Sequence, residues 1–385
     1  MRPPYRILHV IDNLGPGGAQ EVVCQLVKYG RRRFFSPEVL TLRGLGHYWE
    51  ILRGWGVPLH SLFPYDLESF KHYGGLQSHM FSRMCLFMTQ NHYDLVHAHL
   101  LWSMMHATPM AALCRVPVRV NHDHCLDVAR YRSPKHRFLR LLSHRLSHHV
   151  IAVSSSLRTF LCQEEKVSDD KITVINNAVD LSRFSPQSGP DAQKRLRQDW
   201  DLPPDVPVVG GVGRLDYQKN FSLFLEVAAE VGARFPQAIF VIAGEGPDRA
   251  ALEELSQKLG IASRVRFLGF VKEMPELYQS LDLMLLTSHF EGTPLTILEA
   301  MATGVPVVAS HVDGVGDVLA DGRDSLLVPP GRRDLFVQGV CRLLQDQNLR
   351  RQISQAGQAK VQQRHSVEGM VRRVEALYLK YLETV

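Results

Sequence analysis

The sequence predicts an α/β protein made of two similar Rossmann-like parallel-sheet domains, and three features carry that expectation. Apolar strand candidates recur in two series, one near residues 6–11, 37–41, 94–97, 117–121, 149–153 and 172–175, the other near 206–212, 238–243, 265–268, 282–287, 306–309 and 325–328. Helical patterns separate most of them, as with Phe221, Phe224, Leu225, Ala228 and Val231, and strands alternating with helices build parallel sheets. The 385 residues suffice for two domains of about 150 to 200 residues, each with a full core. The stretch Asp180-Leu-Ser-Arg-Phe-Ser-Pro-Gln-Ser-Gly-Pro190 is rich in Pro, Ser and Gly and supplies the join. The domains expected are therefore 1–185 and 186–364, with a closing helix over about 365–385 packing back on the first.

At the N-terminus, Arg6-Ile-Leu-His-Val-Ile11 reads as a strand, and Asp12-Asn-Leu-Gly15-Pro-Gly17-Gly18-Ala19-Gln20 turns into a helix carrying Val22, Val23, Leu26 and Val27. Gly17 and Gly18 let backbone approach a phosphate closely. The dinucleotide fingerprint is absent, since counting Gly15 and Gly17 as its first two glycines leaves Gln20 where the third belongs.

The first half is also the basic half. Residues 1–185 hold 22 Lys and Arg against 14 Asp and Glu, a net of +8; residues 186–385 hold 22 against 25, a net of −3; the two sum to the +5 of the whole chain. Fifteen of the eighteen histidines also lie in the first half. The densest region runs from Arg130 to His149, where Phe138, Leu141, Leu142 and Leu146 recur at helical spacing beside Arg137, Arg140 and Arg145. That pattern reads as an amphipathic basic helix, either a domain helix with a solvated basic face or one suited to an anionic membrane surface or a pyrophosphate. Nucleic-acid binding is not expected, because the basic residues lack interleaved aromatics and no recognition motif appears.

In the second half, the strand Val206 to Val209 runs into Gly210-Gly-Val-Gly-Arg214-Leu-Asp-Tyr-Gln-Lys219-Asn220, with a helix from about Phe221. Arg214 brings a planar fork and Lys219 a point charge, a pair that neutralises a leaving diphosphate. The buried strand Leu281-Asp-Leu-Met-Leu-Leu-Thr287 leads to Glu291-Gly-Thr-Pro-Leu-Thr-Ile-Leu-Glu299. Thr293 is expected to cap a helix with Pro294 at its first position and Gly304 at its end. The amides of Leu295, Thr296 and Ile297 would then face the carboxyl end of the strand, where a diphosphate is favoured, with Gly292 opening the loop. Carboxylates accept from vicinal hydroxyls, so one of Glu291 and Glu299 can hold a sugar ring and the other a ribose.

In order along the chain, these motifs resemble the retaining glycosyltransferases of the GT-B fold, specifically family four of the glycosyltransferase classification. The Gly-Gly-Ala loop matches Gly17-Gly18-Ala19, the basic pair Arg214 and Lys219, the Glu-x7-Glu motif Glu291 and Glu299, and the active-site histidine His122, which follows Pro117-Val-Arg-Val-Asn121. The resemblance covers nearly the whole chain. It implies two domains facing across a cleft, a nucleoside diphosphate-sugar donor held mainly by the second, and metal-independent transfer with retention. It also implies that Glu291 holds the transferred sugar's hydroxyls and Glu299 the ribose, that His122 lines the acceptor side, and that Val271 lies at the base. The catalytic set expected is therefore His122, Glu291, Arg214 and Lys219, and the donor set Gly17, Gly18, Arg214, Lys219, Val271, Glu291, Gly292, Leu295, Thr296 and Glu299.

The activity expected is transfer of a hexose or related sugar to the hydroxyl of a glycan or lipid-linked acceptor, in lipid-linked glycan, lipopolysaccharide or exopolysaccharide synthesis. The alternatives are a GT-B nucleotide-sugar epimerase and a non-catalytic nucleotide-sugar-binding assembly subunit. No cofactor is expected, and no metal. His97-Ala-His99 and His122-Asp-His124 look like ligands, but alternation in one strand supplies only two, and Asp199-Trp-Asp201 follows no apolar strand. The six cysteines lack a CxxC pair and read as reduced thiols. Neither a secretory signal nor an apolar run of about 18 residues is found, so the expected location is the cytoplasm, peripheral on the inner face of the cell membrane.

Overall fold

The computed structural model describes residues 3–63, 76–124, 134–186 and 190–384. Two compact units form, one of Met1–Asn177 with Val367–Val385 and one of Ala178–Ser366. The first holds β1 (Tyr5–Ile11), β2 (Phe35–Thr41), β3 (Leu59–Ser61), β4 (Leu95–His99), β5 (Val118–Asp123), β6 (His149–Ala152) and β7 (Ile172–Val174), in a parallel sheet of order β3-β2-β1-β4-β5-β6-β7. The second holds β8 (Val208–Val212), β9 (Ile239–Ala243), β10 (Val265–Gly269), β11 (Leu283–Leu286), β12 (Val307–Ser310) and β13 (Leu326–Val328), ordered β10-β9-β8-β11-β12-β13. All its pairings are parallel as well. Helices follow most strands, giving each unit a Rossmann-like layout.

Burial on both faces explains why these strands read as continuous apolar runs. Every residue of β8, β9, β11 and β12 is buried, with one cluster built around Met284, Ile297 and Val307 and another around Phe224, Phe240 and Phe336. The three residues of β3 are all half-buried, and this edge strand carries too weak a pattern to be read from sequence.

The join lies earlier than residue 185. Val179 and Phe184 pack into the second unit's core, and the Val179 amide donates to His365 O at 2.9 Å. The closing helix, Val367–Leu382, belongs to the first unit, where its Glu375 meets the Arg31 amide at 2.6 Å and its Tyr378 hydroxyl lies 2.5 Å from His97 Nδ1.

The basic helix forms as Pro134–Leu146, but its faces are not those the spacing implies. Phe138 is 64% exposed whereas Arg140 is only 5% exposed, held in an ion pair with buried Glu165. Arg137 and Arg145 remain exposed. A buried acid contributed by a later segment thus outweighs the apolar periodicity and turns Arg140 inward. Cys125 and residues 130–133 of the basic stretch lie outside the described residues. Among the described residues no helix is long and apolar enough to cross a membrane.

Candidate donor site and the histidine face

In the second unit β8 pairs with β9 on one side and β11 on the other, so the strand order reverses between β8 and β11. Loops leaving the carboxyl ends of such a pair diverge and leave a crevice for ligands. The loop after β8 carries Arg214 and Lys219, and the loop after β11 carries Glu291. Thr287 ties the two loops by donating to Asn220 O at 3.0 Å and Lys219 O at 3.2 Å, and the His289 amide donates to Gln218 O at 2.8 Å.

This scaffold places Lys219 Nζ 2.6 Å from Glu291 Oε1, with side chains 15% and 5% exposed. Ser288 Oγ donates to the same carboxylate oxygen at 2.7 Å. Arg214 pairs with Asp216 instead, and its side chain stays 58% exposed, leaving most of its donors open to an incoming anion. The acid and cation nominated from separate loops are therefore direct partners, which the sequence did not foresee. Nearby, burial raises the Asp313 carboxyl pKa, opposed by a hydrogen bond at the Glu291 backbone and assisted by the Glu291 charge.

Two glycines make this geometry possible. Gly213 has φ of 154°, and a Cβ there would lie 2.9 Å from Lys219 Cε; Gly244 has φ of 140°, and its Cβ would fall 1.9 Å from Gly213 O. Backbone therefore packs on backbone beneath the Lys219 chain, an approach open only to glycine. Gly244, Ser288 and Asp313 were missed from sequence. Their signals are a Gly-x-Gly and two polar residues just beyond apolar strands.

The helix after Glu291 spans Leu295–Ala302, one residue later than expected. Pro294, not Thr293, occupies the N-cap, with φ −70° and ψ 117° and no side-chain cap bond, because its ring sets φ for extended backbone at that position as readily as for helix. The Ile297 amide donates to Pro294 O at 3.2 Å, so the expected trio of amides reduces to those of Leu295 and Thr296. Thr296 Oγ1 is buried without a hydrogen-bond partner among the described residues. Glu299 accepts from Tyr278 at 2.8 Å, and burial with the neighbouring carboxylate holds that hydroxyl protonated. Gly292 and Leu295 are buried, as is Val271, which follows β10, while its neighbour Phe270 is 44% exposed.

The remaining nominated residues lie in the first unit. Gly17 caps the helix Gly18–Tyr29 with extended backbone and accepts from the Glu21 amide at 3.1 Å. His122 stands on β5, buried, its ring stacked on His124 with centroids 4.2 Å apart, and neither ring nitrogen has a hydrogen-bond partner among the described residues. Burial keeps the ring neutral by lowering its pKa well below the usual value, with the neighbouring histidines adding to it.

The exclusion of a third metal ligand fails here. Register pairs His9 with His97 and His99 with His122 across three adjacent strands, so neighbouring strands supply what one strand cannot. Ligand atoms of His9, His97 and His99, and separately of His99, His122 and His124, all lie within 4.8 Å of one another.

Two family models together span nearly the whole chain: "Glycosyltransferase Family 4" matches residues 16–183 and "Glycosyl transferases group 1" residues 192–360. The chain belongs to family four of the GT-B glycosyltransferases. It is 29% identical over 294 residues to an uncharacterized glycosyltransferase of Methanocaldococcus jannaschii, covering 74% of this chain and 75% of that protein. It is also 29% identical over 266 residues to the UDP-Gal:alpha-D-GlcNAc-diphosphoundecaprenol alpha-1,3-galactosyltransferase of Escherichia coli, over 67% and 68% of the two chains. Among solved structures, Anabaena HepE in complex with UDP and glucose superposes with a TM-score of 0.85 at 22% identity, over 97% of this chain and 99% of that one. That likeness establishes the GT-B fold of this glycosyltransferase.

Proposed function

We propose that this glycosyltransferase moves a hexose or related sugar, with retention, from a nucleoside diphosphate to an acceptor hydroxyl in the synthesis of a lipid-linked glycan or cell-envelope polysaccharide. The observation that carries the reading is the Lys219–Glu291 pair at the strand-order reversal, beside the open guanidinium of Arg214 and the helix beginning at Leu295. A diphosphate entering there meets two cations and two amides. Lys219 turns from Glu291 to the phosphate, and the released carboxylate accepts from the sugar's hydroxyls. Charge on the departing phosphate then meets donors fixed beforehand, usually a large catalytic term.

Glu299, oriented by Tyr278, takes the ribose hydroxyls. In the first unit, Gly18 and His122 keep the roles that the family resemblance gives them. Retention follows from attack on the leaving-group face, with a donor phosphate oxygen taking the acceptor proton, as the family resemblance implies. No metal is needed on the diphosphate, because Arg214, Lys219 and the amides replace it. The acceptor class rests on the basic first half and on the lipid-diphosphate acceptor in the Escherichia coli relative's name.

The test is a panel of nucleoside diphosphate-sugars screened by thermal shift, then by donor consumption with polyprenyl-diphosphate glycans, in EDTA and in added Mg²⁺ or Mn²⁺. Acceptor-dependent consumption that persists in EDTA supports the reading. Consumption without acceptor points to an epimerase or hydrolase, no consumption to a binding subunit, and activity lost in EDTA but restored by metal to a metal-held diphosphate.

A further inference from the structure

The face of the first sheet beneath the closing helix carries five histidines on three strands: His9 on β1, His97 and His99 on β4, His122 on β5 and His124 just after it. They are buried or nearly so, and no carboxylate hydrogen-bonds to any of them among the described residues. His9 Nδ1 lies 3.1 Å from His99 Nε2, and the His97 and His99 rings have centroids 4.0 Å apart.

We propose that His9, His97 and His99 form a binding site for one divalent late transition metal, Zn²⁺ or a similar imidazole-seeking ion, that ties β1 to β4.

A neutral imidazole carries one N–H and one lone pair, and both need partners when buried. His97 Nδ1 lies 2.5 Å from the Tyr378 hydroxyl, but its Nε2 is buried with no partner among the described residues. Without a ligand that nitrogen stays unsatisfied, which burial makes costly. With a metal, both nitrogens of His97 and of His99 have a use. His97 donates from Nδ1 to Tyr378 and coordinates through Nε2. His99 donates from Nδ1 to His124 Nε2, 3.2 Å away, and coordinates through the Nε2 that faces His9. Both ligands are thus oriented through their second nitrogen, the usual arrangement around metal-bound histidine.

Distance and chemistry agree. Metal–nitrogen bonds of about 2.0–2.1 Å in a tetrahedron separate the nitrogens by about 3.3 Å, so the 3.1 Å pair needs only a small outward shift. An all-imidazole set favours Zn²⁺, Cu²⁺, Ni²⁺ or Co²⁺ over Mg²⁺ and Ca²⁺. A water completes the fourth position. The ion is a structural pin, takes no part in the transfer proposed above, and the inference does not depend on it.

The test uses the full chain without a histidine tag, stripped by a chelator and titrated with Zn²⁺ by calorimetry and with Co²⁺ by visible absorption. One equivalent should bind with a rise in melting temperature and d–d bands of four- or five-coordinate Co²⁺. His97→Ala and His99→Ala should each weaken binding by about 10²-fold or more, because each removes a nitrogen bonded to the metal, and even losing a residue that only orients such a ligand costs about 10- to 100-fold. His149→Gln, on the same sheet but bonded to Thr173 and Tyr381, should bind as the unaltered protein does. His97→Cys should add a thiolate-to-Co²⁺ charge-transfer band at one equivalent, read on a variant whose circular dichroism matches that of the unaltered protein, since the chain's own cysteines could give such a band only on unfolding. Failure to bind one equivalent, equal affinity in the alanine variants, or loss confined to His122 and His124 variants overturns this ligand set. His9, His99 and His124 are then a hydrogen-bonded chain, with His97 held by Tyr378.

Discussion

Lys219 and Glu291 neutralise each other at 2.6 Å, so a donor must part them before each can hold its own group. Removing either leaves the other charge buried without its partner, which costs more than the pair itself contributes. Lys219→Ala is expected to lower turnover by about 10²-fold or more, since it removes charge stabilisation that grows as the bond breaks. Arg214→Ala, at an exposed side chain, should weaken nucleoside diphosphate binding and slow turnover without loss of stability. Near-normal turnover in both variants ends this assignment. The glutamates should separate by ligand: Glu299→Gln weakens free nucleoside diphosphate, while Glu291→Gln spares it and lowers turnover with the intact donor. Equal losses of free nucleotide affinity show that the roles are reversed or shared.

A third residue-scale expectation concerns pH. Burial opposes ionisation of Glu38, but hydrogen bonds from His60, Arg6 and Tyr93 outweigh it and hold its carboxyl at about 2, below the usual 4.5. A depressed folded-state pKa contributes stability that is complete above 4.5 and disappears as the pH falls through 2. The melting temperature of the unaltered protein should therefore exceed that of Glu38→Gln at pH 6, with the gap closing between pH 4.5 and 2. A gap independent of pH would mean that the Glu38 contribution is packing alone. At this scale the sequence named the charged residues of the site but not their pairing. Pairing depends on two loops about seventy residues apart in the chain, held together by Thr287, which no local pattern reports.

Among the elements, the buried strands were the most legible, because burial on both faces leaves continuous apolar runs. Helix faces were less so. The periodicity at Pro134–Leu146 finds the helix but turns it wrongly, since it cannot see that Glu165 draws Arg140 inward. The missed third metal ligand has a similar origin: alternation within β4 is visible in the sequence, but the register that sets His9 against His97 belongs to the sheet. The corrected helix changes the membrane test. Phe138 with Arg137 and Arg145 forms the exposed set, and each basic residue near an anionic surface contributes about 1 kcal/mol. Vesicle binding should rise with anionic lipid, fall with salt, and drop when Arg137 and Arg145 become Gln and Phe138 becomes Ser, with the fold intact. Equal, weak binding of the variant and the unaltered chain to anionic and neutral vesicles rules out this helix as the contact and favours a soluble acceptor.

For the whole molecule, two sheets of alternating units are legible because strand–helix alternation leaves little choice of topology. The ownership of the last helix is less so, because it rests on contacts more than 200 residues apart in sequence, such as Tyr378 with His97 and Tyr381 with His149. Met370, Val371, Val374 and Leu382 of that helix are buried, and Glu375 holds Arg31. Ending the chain after Ser366 would expose this apolar face of the first unit while removing nothing from the core of the second. At about 1.5–3 kcal/mol per large apolar side chain and about 2–4 °C per kcal/mol for a unit of this size, the first unit should melt on the order of 10 °C or more lower. Hydrogen exchange locates the effect by sheet. Protection should fall across β1 and β4 and remain at its original level across β8, β9, β11 and β12. Unchanged protection in β1 and β4 would show that the helix is a dispensable appendage. An equal fall in both sheets would show that the chain unfolds as one cooperative body, with the last helix serving both units.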